Sequence, residues 1–191
     1  MPKGRLEAFS DGVLAIIITV MVLEMKVPHG TDLQALTPVL PVFLSYVLSF
    51  LYLGIYWNNH HHLFQAVKQI KGSVLWANLH LLFWLSLFPF VTGWMGENHF
   101  ATWTVALYGG VLIMAATAYF ILSRVLLAGH AADSVLARAI GADVKGRISI
   151  VIYAAGIALA FANAWIGLAT YMLVAVIWLI PDRRIEKNLI A

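Results

Sequence analysis

Two segments of the chain place hydrogen-bonding side chains against long apolar runs. Ser10 and Asp11 directly precede the apolar residues 12–23, and Asn78 and His80 lie inside a later apolar segment. A carboxylate near hydrocarbon costs several kcal/mol, about 2.5–3.5 even on the lenient insertion scale, so Asp11 requires partners. His80 can donate a hydrogen bond to that carboxylate, and Asn78 can both donate and accept. These residues predict a polar network between two helices.

Two further residues belong to this candidate network. Arg5 on the first segment can supply a positive charge, and Trp76 lies one helical turn before the histidine of the second segment. A simpler alternative makes Ser10 or Asp11 the N-cap of a helix that begins at Gly12, a common role for both residue types. The histidine is then an ordinary packing residue.

The run Asn58-Asn59-His60-His61-His62 suggests a metal site, but its spacing does not suit one. Successive helical residues point about 100° apart, whereas a helical histidine pair that shares one ion needs i, i+4 spacing. No carboxylate lies at such a spacing from these histidines. We expect a solvated helix end without a metal.

The sequence shows no phosphate-binding glycine loop, no serine–histidine–aspartate set and no paired catalytic carboxylates, so it predicts neither an enzyme nor a bound cofactor. Of the 191 residues, 62% are hydrophobic and 11% are charged. Soluble domains average about 45–50% and about 25%. The net charge of +3 is too small and scattered to indicate nucleic-acid binding. This composition predicts an all-α integral membrane protein surrounded by lipid.

Six apolar segments are candidates to span a bilayer, and most have the required length of about 17–25 residues. Glu7 and Asp11, with no small-x-small cleavage site after the first run, favour a retained first helix over a signal peptide. No internal repeat divides the chain, so residues 1–191 are predicted to form one domain. The predicted spans are residues 6–25, 38–60, 73–95, 101–128, 147–162 and 165–181.

The basic residues lie asymmetrically around these spans. Eleven fall on one side of a six-span arrangement, and Lys26 alone falls on the other. Basic residues favour the cytoplasmic side, so both termini are expected in the cytoplasm. The eleven are Lys3, Arg5, Lys68, Lys71, Arg124, Arg138, Lys145, Arg147, Arg183, Arg184 and Lys187.

Three separated motifs in the first half of the chain resemble one channel family. In chain order they are Arg5 with Phe9-Ser10-Asp11-Gly12, then Tyr56-Trp57-Asn58-Asn59-His60-His61, then Asn78-Leu79-His80 with Phe88-Pro89-Phe90. The pattern is similar to the short prokaryotic branch of the lysosomal potassium-channel family known as transmembrane protein 175. The last three helices match this family only in number and hydrophobicity.

The resemblance implies a potassium-selective channel in the plasma membrane of a prokaryote. It implies six-helix subunits, a homotetramer in the lipid bilayer, and a central pore lined by the first helix. It also implies that Ile16 forms a hydrophobic constriction, with Thr19, Val20 and Leu23 along the same face. Arg5, Ser10, Asp11, Trp76, Asn78 and His80 then fix the pore helix rather than line the ion path. Permeant potassium ions are the expected partners.

Two other functions remain open from the sequence. A secondary transporter or proton-coupled carrier could use Asp11 and His80 as a proton relay. Carriers usually show inverted repeats and broken helices near the midplane, and the sequence shows neither. A non-conducting scaffold is the third possibility. The sequence does not indicate a gating stimulus.

Overall fold

The computed structural model describes residues 2–65, 67, 70–128 and 143–179. The described residues form α-helices and one 3₁₀-helix, without a β-strand, so the predicted all-α class is confirmed. In chain order they are α1 (Lys3–Leu23), the 3₁₀-helix (Leu33–Val39), α2 (Leu40–Gln65), α3 (Gly72–Ser86), α4 (Phe88–Glu97), α5 (Thr102–Leu127), α6 (Val144–Ala162) and α7 (Ala164–Leu179).

Five helical segments are long and apolar enough to cross a membrane: Lys3–Leu23, Leu33–Gln65, Gly72–Glu97, Thr102–Leu127 and Val144–Ala162. Ala164–Leu179 is apolar but, at 16 residues, slightly short of the usual spanning length. Each predicted span corresponds to one of these segments. α6 and α7 are separated by Asn163 alone and pack against each other as a hairpin.

Two predicted spans differ in detail from the structure. The third is divided at Leu87, because Pro89 has no N–H to bond to the preceding turn and its ring crowds the carbonyl of that turn. The second continues as regular helix to Gln65, so the histidine run lies within α2 and is not its frayed end. Residues 180 and 181 of the sixth predicted span lie outside the described residues.

Helix ends that the six-span arrangement places on the same side of the membrane lie close together in the structure. The Lys3 ammonium donates to the carbonyl of Gln65 at 3.4 Å, so the start of α1 lies beside the end of α2. Lys26 follows the end of α1 and Glu97 is the last residue of α4. The two form an ion pair of 3.2 Å on the opposite side of the bundle. Five of the basic residues used to predict the orientation lie outside the described residues: Lys68, Arg138, Arg183, Arg184 and Lys187.

The helices pack around α5, which contacts α3, α4, α6 and α7. Small residues bring α6 and α7 close together. A Cβ added at Gly167 would lie 2.7 Å from the Cβ of Ala160 and 2.8 Å from the carbonyl oxygen of Gly156. α1 packs beside this core against α2, α3 and α4. It buries one face there and leaves the opposite face uncovered by the described subunit.

Candidate functional site

α1 has a buried face and an exposed face along its whole length. The buried side chains recur every three or four residues, which places them on one side of the helix. They are Leu6, Ser10, Leu14, Ile17 and Met21. Four of these five are apolar, and Ser10 is the polar member of this face. Its hydroxyl donates to the carbonyl of Leu6 at 2.9 Å.

Ser10 is joined to two other helices by a hydrogen-bond network, the Ser10 network, which consists of Ser10, Asn78 and His60. The amide nitrogen of Asn78 on α3 donates to the Ser10 hydroxyl at 2.9 Å. The amide oxygen of Asn78 lies 2.8 Å from Nε2 of His60 on α2. Because that oxygen can only accept, His60 must carry its proton on Nε2. All three side chains are at most 3% exposed, so the network that ties α1, α2 and α3 together is shielded from solvent.

Asp11 has a different partner from the one that the sequence predicted. Its carboxylate accepts a hydrogen bond of 3.0 Å from Nε1 of Trp57 on α2, at an exposed position. The Trp57 ring stacks on His61, with centroids 6.1 Å apart. Asp11 thus reinforces the contact between α1 and α2 from outside the buried network.

The predicted pairing of Asp11 with His80 is wrong. His80 accepts a hydrogen bond of 3.0 Å from Trp84, one turn along α3. Asp11 follows the buried Ser10 by one residue and His80 follows the buried Asn78 by two, so their side chains leave their helices in other directions. The structure therefore offers no direct Asp11–His80 proton relay.

Arg5 and Trp76 also lie outside the Ser10 network. Arg5 is exposed, and its guanidinium makes no hydrogen bond or ion pair with the described residues. Trp76 is 76% exposed, because it lies two residues from Asn78 and therefore on the opposite side of α3. Of the six residues predicted for the network, the structure joins Ser10 and Asn78 directly.

The four residues predicted to face the pore are located on or beside the uncovered face of α1. Leu23 is 81% exposed and Ile16 is 63% exposed. Thr19 is exposed, and its hydroxyl donates back to the carbonyls of Ala15 and Ile16 at 3.1 and 2.9 Å. Val20 is partly buried at the edge of this face. Large apolar side chains are thus left without a neighbour from the described subunit.

Sequence reasoning missed His60 and Trp57 as members of the site. His60 is 3% exposed rather than solvated, so the expectation of a solvated histidine end was wrong for this residue. The available signal was its spacing, because Ser49, Tyr52, Tyr56, His60 and Leu63 recur at intervals of three or four. That spacing places His60 on the buried face of α2.

The described residues contain no group of three or more His, Asp or Glu side chains close enough to hold a metal ion. His61 bonds to Gln65, one turn further along α2, at 2.8 Å. His60 is committed to Asn78. The hydrogen bonds of this site hold α1 against α2 and α3.

The chain is similar to known proteins over most of its length. The sequence profile of the family described as "Endosomal/lysosomal potassium channel TMEM175" matches residues 5–89. A protein of Chryseobacterium sp. (strain P1-3), named a potassium channel, is 60% identical over 189 residues, which are 99% of this chain and 98% of that protein. The chain belongs to the TMEM175 family. This is a family of ion channels, not of enzymes, and with its apolar helices the chain is a multi-pass membrane protein.

More distant TMEM175 relatives also span most of the chain. A Streptomyces collinus protein named a potassium channel is 33% identical, covering 91% of this chain and 89% of that protein. The crystal structure of a lysosomal potassium-selective channel TMEM175 homologue from Chamaesiphon minutus matches with a TM-score of 0.76. The match is 29% identical and covers 93% of this chain and 96% of that one. The family profile itself covers α1 to α3, the helices that carry the Ser10 network.

Proposed function

We propose that the chain is one subunit of a homotetrameric potassium channel in the plasma membrane of a prokaryote. In this proposal residues 1–191 form one channel domain, both termini are cytoplasmic, and four copies of α1 surround a pore on the symmetry axis. The observation that carries it is the uncovered apolar face of α1, on which Leu23 is 81% and Ile16 is 63% exposed. The names of the bacterial relatives support the choice of potassium.

A pore needs its lining helix held at a fixed rotation, and the Ser10 network supplies such a constraint. Ser10 and Ile16 lie on different faces of α1, so bonds on the buried face set the direction of the exposed one. A surface that merely contacted lipid would not need a buried polar network of this kind behind it. Polar groups inside a bilayer are costly, and they are retained where they fix helices or serve transport.

In the proposed pore, Ile16 forms the narrowest ring, with Thr19, Val20 and Leu23 beyond it. An ion passing an apolar ring must shed or deform its hydration shell, and apolar constrictions can also close by dewetting. Potassium holds its water less tightly than sodium, so it passes more readily. This mechanism needs no ring of backbone carbonyls, and it gives selectivity that is modest in size.

Two measurements test the assembly and the activity. Native mass spectrometry of the protein in mild detergent should show a tetramer, and planar-bilayer recordings should show unitary current steps carried by potassium. A monomer or dimer as the sole species contradicts the assembly. Steady ion exchange without unitary steps indicates a carrier.

The Ile16→Asn variant tests the constriction. An amide in the narrowest ring keeps water there, so conductance should rise and the reversal potential under a potassium–sodium gradient should move toward zero. Ile18→Asn is the matched control, because Ile18 is partly buried against the core of the subunit and should mainly impair packing. Both variants must be shown to be tetrameric first. A shift of the reversal potential in the Ile18 variant alone would place the pore on another face.

A further inference from the structure

A cavity of about 30 Å³ lies between α2, α5, α6 and α7, on the side of the bundle where α6 begins. The described residues that line it belong to these four helices and to the residue before α6, not to α1. The cavity is therefore separate from the proposed pore. A single water molecule needs about 10–15 Å³ of such space, so the cavity has room for a ligand of about two or three non-hydrogen atoms.

The walls of the cavity are mostly aromatic. Its rings are those of Tyr52, Tyr56, Tyr119, Tyr153 and Trp178. They are inclined to each other and not stacked flat: the ring planes of Tyr56 and Tyr119 meet at 65°, with centroids 6.2 Å apart. Those of Tyr52 and Tyr153 meet at 58°, also with centroids 6.2 Å apart. Because the face of a tyrosine or tryptophan ring attracts cations, walls of this kind suit a cationic ligand.

A single carboxylate accompanies these rings. Asp143, the residue before α6, is the only one of the described lining residues with a charged side chain, so none of them is lysine or arginine. Its carboxylate accepts from the N–H of Gly146 at 3.2 Å and forms no ion pair with the described residues. Arg147 acts on this carboxylate from an exposed position, where salt and water screen its charge. The charge of the lining itself is therefore negative.

Several hydrogen-bond donors of the lining are already used inside the protein. The Tyr119 hydroxyl donates to the carbonyl of Asn59 at 3.3 Å, and Nε1 of Trp178 donates to the Ser149 hydroxyl at 2.9 Å. The side chains of Ser149 and Asn59 donate to carbonyls one turn earlier in their own helices, at 2.8 and 2.7 Å. The amide oxygen of Asn59 and one carboxylate oxygen of Asp143 remain to accept from a ligand. An ammonium group has three donors and no acceptor, which matches these oxygens.

We propose that this cavity binds a small primary ammonium group. The Asp143 carboxylate and the Asn59 amide oxygen accept its N–H groups, and its carbon atoms lie against the tyrosine and tryptophan rings. A potassium ion suits the cavity less well, because it needs oxygen ligands to replace its hydration shell and most of this lining is carbon. Two sources supply such a group: a free short-chain amine, and the ethanolamine headgroup of a membrane lipid.

The test measures binding of ethylammonium to the full-length protein in nanodiscs of phosphatidylglycerol, a lipid without an ammonium group. A titration followed by saturation-transfer NMR gives the dissociation constant. Ethanol is the matched control ligand, because it has a similar size and no charge. We expect saturable binding of ethylammonium, and binding of ethanol that is at least about tenfold weaker, since a hydrogen bond to a charged group is worth that factor or more.

Asp143→Asn removes the charge and keeps the cap of α6, because an asparagine oxygen still accepts from the N–H of Gly146. Its affinity for ethylammonium should be lower than that of the parent by about tenfold or more, for the same reason. Asp32→Asn is the matched control. Asp32 caps the 3₁₀-helix by accepting from the N–H of Ala35 at 3.0 Å, and it lies outside the cavity, so this variant should bind like the parent.

Two variants of Tyr56 test the aromatic wall. Tyr56→Leu replaces a ring by an aliphatic side chain, so ethylammonium should bind about threefold more weakly, the effect of one exposed cation–π contact. Tyr56→Phe keeps the ring and should restore the affinity of the parent. Equal losses in both variants would contradict the part of the proposal that assigns this ring a contact with the cation.

Nanodiscs that also contain phosphatidylethanolamine identify the source of the group. If the lipid headgroup occupies the cavity, ethylammonium binds the parent more weakly in these discs, whereas equal binding in both kinds of disc identifies free amines. Either result supports the proposal. Absence of saturable ethylammonium binding in phosphatidylglycerol discs overturns it, as does binding that Asp143→Asn leaves unchanged. A tetrameric protein that conducts potassium but does not bind ethylammonium would keep the proposed channel function and lose this site.

Discussion

Asn78 uses both halves of its amide group, donating to Ser10 on α1 and accepting from His60 on α2. Asn78→Ala leaves the Nε2–H group of His60 buried without an acceptor, whereas Ser10 keeps its bond to Leu6. We expect the free energy of unfolding to fall by about 1–3 kcal/mol, the cost of an unsatisfied buried group. Denaturation in mixed detergent measures this change.

A double-mutant cycle distinguishes the hydrogen bond from simple loss of packing. If His60 and Asn78 act as one unit, His60→Ala in the Asn78→Ala background should cost less than in the parent, by about 1 kcal/mol or more. His61→Ala is the matched control, since His61 is exposed and bonds within its own helix. Additive effects of His60→Ala and Asn78→Ala would show that the two residues are not coupled.

At single residues the sequence predicted part of this site and missed part. Ser10 and Asn78 were identified because a polar side chain inside an apolar segment needs a partner. Asp11 and His80, which follow them in the sequence, were paired because a buried carboxylate needs a hydrogen-bond donor, and that reasoning does not include the rotation of each helix. A difference of one residue turns a side chain by about 100°, enough to replace His80 with Trp57 as the partner of Asp11. His60 was not distinguished from the adjacent His61 and His62, because their directions around the helix were not predicted.

Between elements, α5 and α7 are in contact at a glycine. A Cβ added at Gly109 would collide with the Tyr171 hydroxyl and lie 2.6 Å from Cζ of the same ring. We expect Gly109→Ala to destabilise the subunit by about 1–3 kcal/mol, the usual cost of overpacking. Gly110→Ala is the matched control on the same helix, because a Cβ there meets no atom within 4 Å. Equal melting temperatures for the two variants in detergent would contradict the close packing.

The start of α6 gives a prediction that depends on pH. Burial raises the pKa of the Asp143 carboxyl, while the N–H of Gly146 and the charge of Arg147 act in the opposite direction. A carboxyl with a raised pKa binds its proton more tightly in the folded state, so the free energy of unfolding increases as the pH falls through that pKa. The cost of the charge is fully present above the raised pKa and disappears below the ordinary value of 3.8.

Asp143→Asn removes this cost and keeps the cap. Asparagine still accepts from the N–H of Gly146 and tolerates the positive φ of 45° at this position. The variant should therefore melt at a higher temperature than the parent near pH 7, and the difference should shrink toward about pH 4. Melting curves of the detergent-solubilised protein at the two pH values measure it. A difference that widens in acid has the wrong sign for this mechanism.

The sequence predicted where the helices lie, but not the break within the third span or the full length of α2. The apolar runs located each span, because length and hydrophobicity determine whether a segment crosses a bilayer. The division of the third span at Leu87 had a signal in Pro89, but a proline inside an apolar run was taken as part of one helix. The extension of α2 to Gln65 could not be predicted from hydropathy, since its buried residues include the polar His60 beside Leu63 and Phe64.

For the whole molecule, the question is which surface faces the proposed axis and which faces lipid. The chain contains no cysteine, so single cysteines report on their surroundings without interference. Leu23 is 81% and Val151 on α6 is 68% exposed in the isolated subunit. A thiol reagent reacts only with a thiolate, and a cysteine side chain forms a thiolate where water reaches it. A charged thiol reagent should therefore reduce the current of Leu23→Cys and leave Val151→Cys unchanged. The reverse result would place α6 at the axis.

The bond between Ser10 and Asn78 also bears on how evenly the proposed tetramer conducts. Four independent subunits set the width of one ring, so any subunit whose α1 turns by a few degrees changes the opening for all. A buried hydrogen bond on the back of each α1 narrows the spread of those angles. The proposed channel should then open to a single current level with little noise within each opening. The steady current would then depend on Asn78, a residue outside the proposed ion path.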